Sequence, residues 1–250
     1  MRSSVLVIPC FDEARRLDPA RVGALAENGS LAVLLVDDGS RDGTFELLRT
    51  CERAHPGVVH AMRLEVNQGK GEAVRQGLLA AIAKGATIVG YADADFSTEP
   101  DELIRLHSEL KAASADGVLG SRVARLGAHI DRSAMRHYLG RVFASLAAVA
   151  VGENVYDTQC GAKWFRVGPA LRRALSRPFE SRWAFDVELL GRLLGSIDVG
   201  EGERTAPARL IEVPVRAWRD VGGSKLRPMG MARSLYDMAR LIARARLGGK

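Results

Sequence analysis

The sequence predicts an α/β fold in which a mostly parallel β-sheet is flanked by helices. Short apolar runs alternate four times with helical patterns between Ser4 and about Ala112. Parallel neighbours in a sheet need a crossover connection, which is usually a helix and is right-handed. In a sheet of this kind the ligand binds at the carboxyl ends of the strands, so the residues that follow each strand are the first candidates for function.

The first part of the chain repeats one unit, a strand followed by a helix. The predicted strands are residues 4–9, 31–36, 58–64 and 87–92, and the helices that follow them end near Glu27, Arg53, Ile82 and Ala112. After residue 117 the pattern changes, and we predict a basic loop, a small-residue helix at 138–151, strands at 158–167 and 210–218, and a helix at 183–194. A basic amphipathic helix is predicted from Met229 to Lys250. The domains expected are therefore residues 1–226 and a helical segment at 227–250.

Composition limits the classes of protein to consider. With 250 residues and 47% hydrophobic content, the chain can bury the core of a large domain. The net charge of +6 favours anionic partners, and nucleic acid, lipid phosphate and nucleotide all fit it. Three widely separated cysteines indicate reduced thiols and a cytoplasmic protein. The longest apolar run, 142–151, is far below the ~20 residues that cross a bilayer, so we expect neither a transmembrane segment nor a signal peptide.

Acidic residues follow three of the predicted strands. They are Asp12-Glu13, Asp37-Asp38 and Asp93-Ala94-Asp95, and the carboxyl ends of parallel strands bring them to one edge of the sheet. Two crowded aspartates repel each other unless a cation lies between them, and oxygen ligands suit Mg²⁺ or Mn²⁺. An Asp-x-Asp pair also occurs as a helix cap or a solvated turn, and that interpretation stays open for the pair before the helix near Glu99.

The glycine pattern argues against two common nucleotide-binding classes. No Gly-x-Gly-x-x-Gly follows the first strand, and Gly69-Lys70-Gly71 lacks the spacing of a Walker loop. A carboxylate at a strand end, such as Asp37 or Asp38, can instead accept hydrogen bonds from uracil or ribose, while Asp95 ligates an ion that bridges two phosphates. These features indicate a nucleotide-sugar site.

Several motifs resemble those of family 2 glycosyltransferases with a GT-A fold. They are Val7-Ile8-Pro9-Cys10-Phe11-Asp12-Glu13, Val36-Asp37-Asp38-Gly39-Ser40, Asn67-x-Gly69-Lys70-Gly71 and Asp93-Ala94-Asp95. Later motifs are similar to the dolichyl-phosphate β-glucosyltransferase branch, which is related to the polyprenol-phosphate mannosyltransferases: Gly120-Ser121-Arg122, Asp157-Thr158-Gln159-Cys160-Gly161-x-Lys163, the stretch 182–190 and Gly223-Ser224-Lys225-Leu226. The resemblance covers about residues 4–226. It implies inverting transfer of glucose from UDP-glucose to a polyprenyl phosphate.

This resemblance implies roles on the donor side of the site. Asp95 and a bound Mg²⁺ or Mn²⁺ would stabilise the diphosphate leaving group, with Asp93 toward the ribose or the metal. The other nucleotide-sugar contacts are expected from Pro9, Glu13, Asp37, Asp38, Lys70 and Arg216, and from a glycine-rich flap that carries Ser224 and Lys225.

On the acceptor side, a phosphate monoester is already ionised near neutral pH, so it needs charge pairing and orientation more than a general base. Arg122, Arg132 and Arg136 are candidates because a guanidinium can bind phosphate through two hydrogen bonds. Asp186 would orient sugar hydroxyls, or act as the base if the acceptor were an alcohol. The residues expected to be catalytic are Asp95, Asp186, Arg122 and Arg136, and those lining the acceptor side also include Gln159, Lys163 and Trp183.

Other functions remain open. A glycosyltransferase with a soluble small-molecule acceptor fits the same motifs, as does a polyprenyl-phosphate mannosyltransferase that uses GDP-mannose. A basic RNA-binding module is the non-enzymatic alternative, but 6% aromatic content argues against a nucleic acid partner. The terminal helix either contacts an anionic membrane surface or packs on the domain. Homodimer formation is left open.

Overall fold

The computed structural model describes residues 2–123, 126, 129–131, 146–182, 184–200, 205–219 and 236–245. The strands are β1 (Ser4–Cys10), β2 (Ala32–Asp37), β3 (Val59–Arg63), β4 (Ile88–Ala92), β5 (Gly117–Ser121), β6 (His129–Asp131), β7 (Ala162–Arg166), β8 (Leu210–Pro214) and β9 (Ala217–Arg219). The helices are α1 (Pro19–Glu27), α2 (Thr44–Ala54), α3 (Lys70–Ala83), α4 (Pro100–Ala112), α5 (146–151), α6 (Pro169–Ala174), α7 (Phe185–Leu194) and α8 (236–245).

Within these ranges the main sheet has seven strands in the order β3-β2-β1-β4-β7-β5-β8. All pairs are parallel except those of β7, which runs antiparallel between β4 and β5. The carboxyl ends of the parallel strands and the start of β7 therefore lie along one edge, here called the carboxyl edge. The prediction of a mostly parallel sheet with flanking helices is confirmed.

Both faces of the sheet are covered, which explains why its strands are continuous apolar runs. Along β1, Val5 and Val7 pack into one core, while Leu6 and Ile8 pack into the other. Helices α3, α5, α6, α7 and α8 contribute to the first core, and α1, α2 and α4 contribute to the second. The carboxyl edge is thus held by a rigid three-layer frame.

Several elements in the second half of the chain depart from the sequence prediction. The single strand expected at 210–218 is divided into β8 and β9, and β9 pairs with β6 instead of the main sheet. Strand β6 has three residues inside a basic loop, and α6 has six, so both are too short for a repeated apolar pattern to identify them. Helix α7 begins at Phe185, two residues later than expected.

Helix α8 packs on the domain. Its Met238 and Leu241 are buried in the first core. Arg240 and Arg244 of the same helix form ion pairs with Glu180. Of the two interpretations open from the sequence, packing against the domain is the one that these residues adopt. The predicted bounds 227–250 extend outside the described residues and stay a prediction. Among the helices of the described ranges, none combines the length and apolar character of a membrane span.

Candidate functional site

The backbone at two strand ends of the carboxyl edge adopts an unusual conformation. Asp12, after β1, and Phe96, after β4, have φ angles of +49° and +50°. For a bulky residue this conformation is rare and persists only where tertiary contacts enforce it. Phe96 is buried, and Arg21 Nη1 donates to its carbonyl at 3.0 Å. The chain that carries Asp93 and Asp95 is therefore held in a defined shape.

Asp93 lies at the end of β4 with two neighbours that hold its side chain. Lys70 Nζ donates to Asp93 Oδ1 at 2.5 Å, and the two side chains keep about a third of their surface exposed, 33% and 30%. A Cβ added at Gly161 would lie 2.2 Å from Asp93 Oδ2, so the carboxylate rests directly on the backbone at the start of β7. Burial raises the pKa of Asp93, but the charge of Lys70 outweighs it and the net pKa is lowered.

Asp95 and Glu13 share one arginine. Arg16 places its Nη1 3.4 Å from Glu13 Oε1 and its Nη2 3.5 Å from Asp95 Oδ2. Asp95 also accepts a hydrogen bond from the Ser97 amide at 3.0 Å, and its side chain is 25% exposed. The structure thus brings together the acidic groups that follow β1 and β4, and it leaves Asp95 accessible.

The two aspartates at the end of β2 are buried and contact other residues of the protein. Asp37 is fully buried, accepts from the Ser40 amide and lies 3.2 Å from Arg63 Nε. Asp38 is 2% exposed, and both of its oxygens accept hydrogen bonds from residues 67–69. Both carboxylates are thus buried and contact other parts of the protein, and their predicted contact with the nucleoside stays a prediction.

Pro9 is buried within β1, in register with Val36 of β2. Its predicted contact with the nucleotide stays a prediction.

The ionisation of the donor-side groups follows from their surroundings. Burial raises the pKa of Asp38, although the amides of Gln68 and Gly69 oppose this shift. Burial lowers the pKa of Lys70, but the charges of Asp93 and Asp186 outweigh it, and the net pKa is raised. Lys70 is therefore a fixed positive charge beside Asp93.

Arg122, at the end of β5, is paired with a carboxylate of the protein. Its Nε and Nη2 donate to Asp157 at 2.7 and 2.8 Å, and its amide donates to the same side chain at 3.0 Å. Burial raises the pKa of Asp157, but these bonds outweigh it and lower the pKa to about 2. Asp157 therefore occupies this edge of the guanidinium, and the predicted contact of Arg122 with the acceptor phosphate stays a prediction. Arg122 carries a positive charge in a fixed place.

Asp186, at the start of α7, belongs to a buried polar cluster. Its Oδ1 accepts hydrogen bonds from Tyr91 Oη and from Lys163 Nζ, the latter at 2.7 Å. Lys163 is fully buried and also donates to the Cys160 carbonyl at 2.5 Å. The Lys163 ammonium therefore pairs with Asp186 inside the protein, and the predicted place of Lys163 on the acceptor side stays a prediction.

The remaining predicted residues fall into two groups. Gln159 is half-buried, and its backbone N–H donates a hydrogen bond to Asp157. Arg216 is exposed and lies just beyond β8. Both residues lie at the carboxyl edge. The others lie outside the described residues: Arg132, Arg136, Trp183, Ser224 and Lys225.

Sequence reasoning assigned no role to four residues that shape the site. Asp157 and Gly161 lie in a motif that was noticed, but their partners Arg122 and Asp93 are distant in sequence. Tyr91 reads as an ordinary strand residue, and Arg182 begins the motif at 182–190, but the motif does not identify residues 67–69 as its partners. A signal was available for Gly161, because a glycine beside a polar motif often marks close backbone approach.

A divalent cation fits the exposed part of this site. The described residues contain no cluster of three acidic, histidine or cysteine side chains of the kind that encloses a metal. Mg²⁺, however, commonly binds through one or two carboxylates plus phosphate oxygens and water. Asp95, supported by Asp93, offers that ligand set at the carboxyl edge.

A mostly parallel sheet with an acidic Asp-x-Asp turn at its carboxyl edge defines the GT-A class of fold. Two solved structures share this fold. One is a mannosyltransferase from Pyrobaculum calidifontis in complex with GDP-Man and Mn²⁺, with a TM-score of 0.64 and 17% identity over 100% of this chain and 66% of that one. The other is glucosyl-3-phosphoglycerate synthase from Mycobacterium tuberculosis in complex with Mn²⁺, UDP and phosphoglyceric acid, with a TM-score of 0.64 and 19% identity over 98% of this chain and 78% of that one. The family model described as glycosyl transferase family 2 matches residues 5–172. The chain therefore belongs to glycosyl transferase family 2.

Relatives narrow the likeness within this family. The chain is 30% identical to dolichyl-phosphate beta-glucosyltransferase ALG5C of Trichomonas vaginalis, over 98% of this chain and 72% of that protein. It is 32% identical to dolichyl-phosphate beta-glucosyltransferase of Drosophila melanogaster, over 92% and 72%. It is 26% identical to polyprenol monophosphomannose synthase of Mycolicibacterium smegmatis, over 98% and 88%.

Proposed function

We propose that this glycosyltransferase moves glucose from UDP-glucose to a polyprenyl phosphate, with inversion at the anomeric carbon. The observation that carries the proposal is the accessible Asp95 beside the Asp93–Lys70 pair, in a chain about a third identical to two dolichyl-phosphate beta-glucosyltransferases. A strand-end carboxylate pair with an adjacent cation suits a nucleoside diphosphate, which is anionic and chelates divalent ions.

On the donor side, Asp95 and Asp93 would hold Mg²⁺ or Mn²⁺. The ion, when bound, supplies positive charge that stabilises the departing diphosphate. Lys70 adds a second positive charge at the same place and keeps Asp93 in its rotamer. Arg216, with Ser224 and Lys225 of the predicted flap, remains proposed to contact the donor. Arg16 orients Asp95 through one terminal nitrogen of its guanidinium, and Glu13 contacts the other terminal nitrogen.

On the acceptor side, Arg132 and Arg136 are proposed to bind the acceptor phosphate, and Arg122 contributes a fixed positive charge. Asp186 accepts two hydrogen bonds on one oxygen and lies beside an ammonium, an arrangement suited to orienting sugar hydroxyls. A phosphate acceptor is already ionised near neutral pH and needs no general base from this cluster. Gln159 and Trp183 remain proposed to line this side.

A lipid-linked acceptor requires the enzyme to work at a membrane surface. The net charge of +6 supports peripheral contact with anionic lipid. This contact would not use Met238 and Leu241, which the protein core already covers.

Labelled UDP-glucose incubated with polyprenyl phosphate and Mn²⁺ tests the proposal directly. We expect label in the organic phase that depends on the cation and on the lipid phosphate. GDP-mannose, run in parallel, tests a mannosyltransferase, which the likeness to polyprenol monophosphomannose synthase supports as a second candidate. Label transferred only to water-soluble alcohols would contradict the lipid-phosphate acceptor.

Asp95→Asn should remove most of this activity, because it deletes the accessible carboxylate charge. We expect a loss of about 100-fold or more in kcat/KM, in the range seen when a preorganised charge contact is lost. Asp101→Asn is the matched control, since it removes an exposed carboxylate in the first turn of α4. Equal activity in the two variants would remove Asp95 from the proposed metal site.

A further inference from the structure

We propose that Arg182 is a positioning residue of the donor site. Together with Asp38 it clamps residues 67–69 from two sides, and this clamp places Lys70 against Asp93. The proposal rests on the proposed function, because it names residues that prepare the same donor site.

Asp38 holds the first side of the clamp. Its Oδ1 accepts from the Gln68 amide at 2.8 Å, and its Oδ2 accepts from the Gly69 amide at 2.8 Å and from Asn67 Nδ2 at 3.1 Å. The carboxylate is 2% exposed, so these three donors replace the water that it loses on folding. The backbone N–H groups of Gln68 and Gly69 thus point toward the carboxyl end of β2.

Arg182 holds the second side through the carbonyl groups of the same segment. Its Nε donates to the Gln68 carbonyl at 3.0 Å, and its Nη2 donates to the Asn67 carbonyl at 2.9 Å and to Asn67 Oδ1 at 3.1 Å. The Asn67 side chain therefore bridges the two sides, with its amide nitrogen on Asp38 and its oxygen on Arg182. A planar guanidinium suits this task because it presents several donors in a fixed geometry.

The segment passes close to Arg182 and Phe185, and two glycines make room for this approach. Gly69 has a φ of +98°, and an added Cβ would lie 2.9 Å from Arg182 Nε. An added Cβ at Gly71 would lie 2.6 Å from Phe185 Cβ. Both glycines are therefore needed for residues 67–71 to lie against Arg182 and against Phe185, the first residue of α7. Lys70 begins α3 between them, and its Nζ lies 5.7 Å from the Phe185 ring centre.

Arg182 lies on the surface, so its hydrogen bonds can be tested without disturbing the core. Its side chain is exposed, and surface hydrogen bonds of this kind contribute little to global stability. Loss of Arg182 should therefore free residues 67–69 while the domain stays folded. The consequence is a displaced Lys70, because only one residue separates Lys70 from the clamped Gln68.

The first measurement is the kinetics of Arg182→Ala and Arg182→Lys. We expect Arg182→Ala to lower kcat/KM for the sugar nucleotide about 10-fold or more through a higher donor KM, with the acceptor KM unchanged. Lysine should restore part of the loss, because it retains a donor without the fork. The matched control is Arg166→Ala, because Arg166 also binds backbone carbonyls, those of Leu110, Ala113 and Ala115, but at the opposite edge of the sheet.

The second measurement shows whether Arg182 acts through Lys70. In a Lys70→Ala background, Arg182→Ala should cause no further loss of kcat/KM, since residues that act through one group are not additive. Additive losses in the double variant would overturn the proposal. So would equal losses in Arg182→Ala and Arg166→Ala.

The third measurement does not depend on activity. Hydrogen exchange of the Gln68 and Gly69 amides should become about 10-fold faster or more in Arg182→Ala, while the amides of β1 keep their protection. Unchanged exchange at these two amides would overturn the clamp. A wild-type protein that transfers no sugar but shows the accelerated exchange would overturn the proposed function and leave the clamp in place.

Discussion

Gly161 leaves the space in which the Asp93 carboxylate lies. Its replacement by alanine would put a Cβ 2.2 Å from Asp93 Oδ2, a separation that no relaxed structure tolerates. Either Asp93 or the start of β7 must move. We expect Gly161→Ala to lower transfer about 10-fold or more, because a displacement of 1 Å at a reacting centre can cost a factor of that size. Activity with saturating donor is the measurement.

The control for this variant is Gly168→Ala. A Cβ at Gly168 meets no described atom within 4 Å, and its φ of −132° suits any residue. Its activity should stay within about twofold of the wild type. Full activity in Gly161→Ala would show that the observed rotamer of Asp93 is not required.

Residue types were predictable at this scale, but many partners were not. The acidic motif at 93–95 was predicted to follow a strand, and in the structure it follows β4 at the carboxyl edge. Asp38 and Arg122 were recognised as important for their charge, yet their partners are internal: residues 67–69 for one and Asp157 for the other. A motif shows that a charge is needed, but it does not show whether a ligand or the protein neutralises it.

At the scale of elements, α8 is held by apolar contacts as well as by ion pairs. Leu241 is buried, so Leu241→Ala should lower the free energy of unfolding by about 2–4 kcal/mol. Tyr236→Ala on the same helix removes a side chain that is 64% exposed and should cost less than about 0.5 kcal/mol. Urea unfolding measures both, and equal values would contradict the observed packing of α8.

Long elements were predictable because they carry enough residues to show a period. The strand and helix alternation from β1 to α4 follows the expected order and edges within a few residues. Strands β6 and β9 have three residues each, and their pairing joins segments far apart in the chain. Periodicity cannot reveal such pairs, since tertiary contact alone creates them.

At the scale of the whole molecule, His107 joins three elements within the second core. Its Nε2 lies 2.9 Å from Ser4 Oγ of β1, and its ring centre lies 4.8 Å from that of Trp164 in β7. Burial, with a smaller contribution from Lys111, lowers the pKa of His107 to about 4. The folded protein therefore favours the neutral ring.

This pKa predicts acid sensitivity of the fold. Between about pH 6.5 and pH 4 the unfolded chain binds a proton at this histidine that the folded protein does not. The free energy of unfolding should therefore fall over this window by up to ~3 kcal/mol and level off below it. His107→Gln should flatten this part of the profile in urea unfolding, and the exposed His129→Gln should not. An unchanged slope in His107→Gln would contradict the assignment.

The antiparallel β7 has a consequence for the growing polypeptide. Strands β1 to β4 leave the ribosome first and can assemble early, but both neighbours of β7 keep an open edge until Arg166 has been synthesised. An open, apolar strand edge recruits other chains. We therefore expect slow codons placed within residues 93–166 to increase aggregation during synthesis, because they prolong the time for which these strand edges are unpaired.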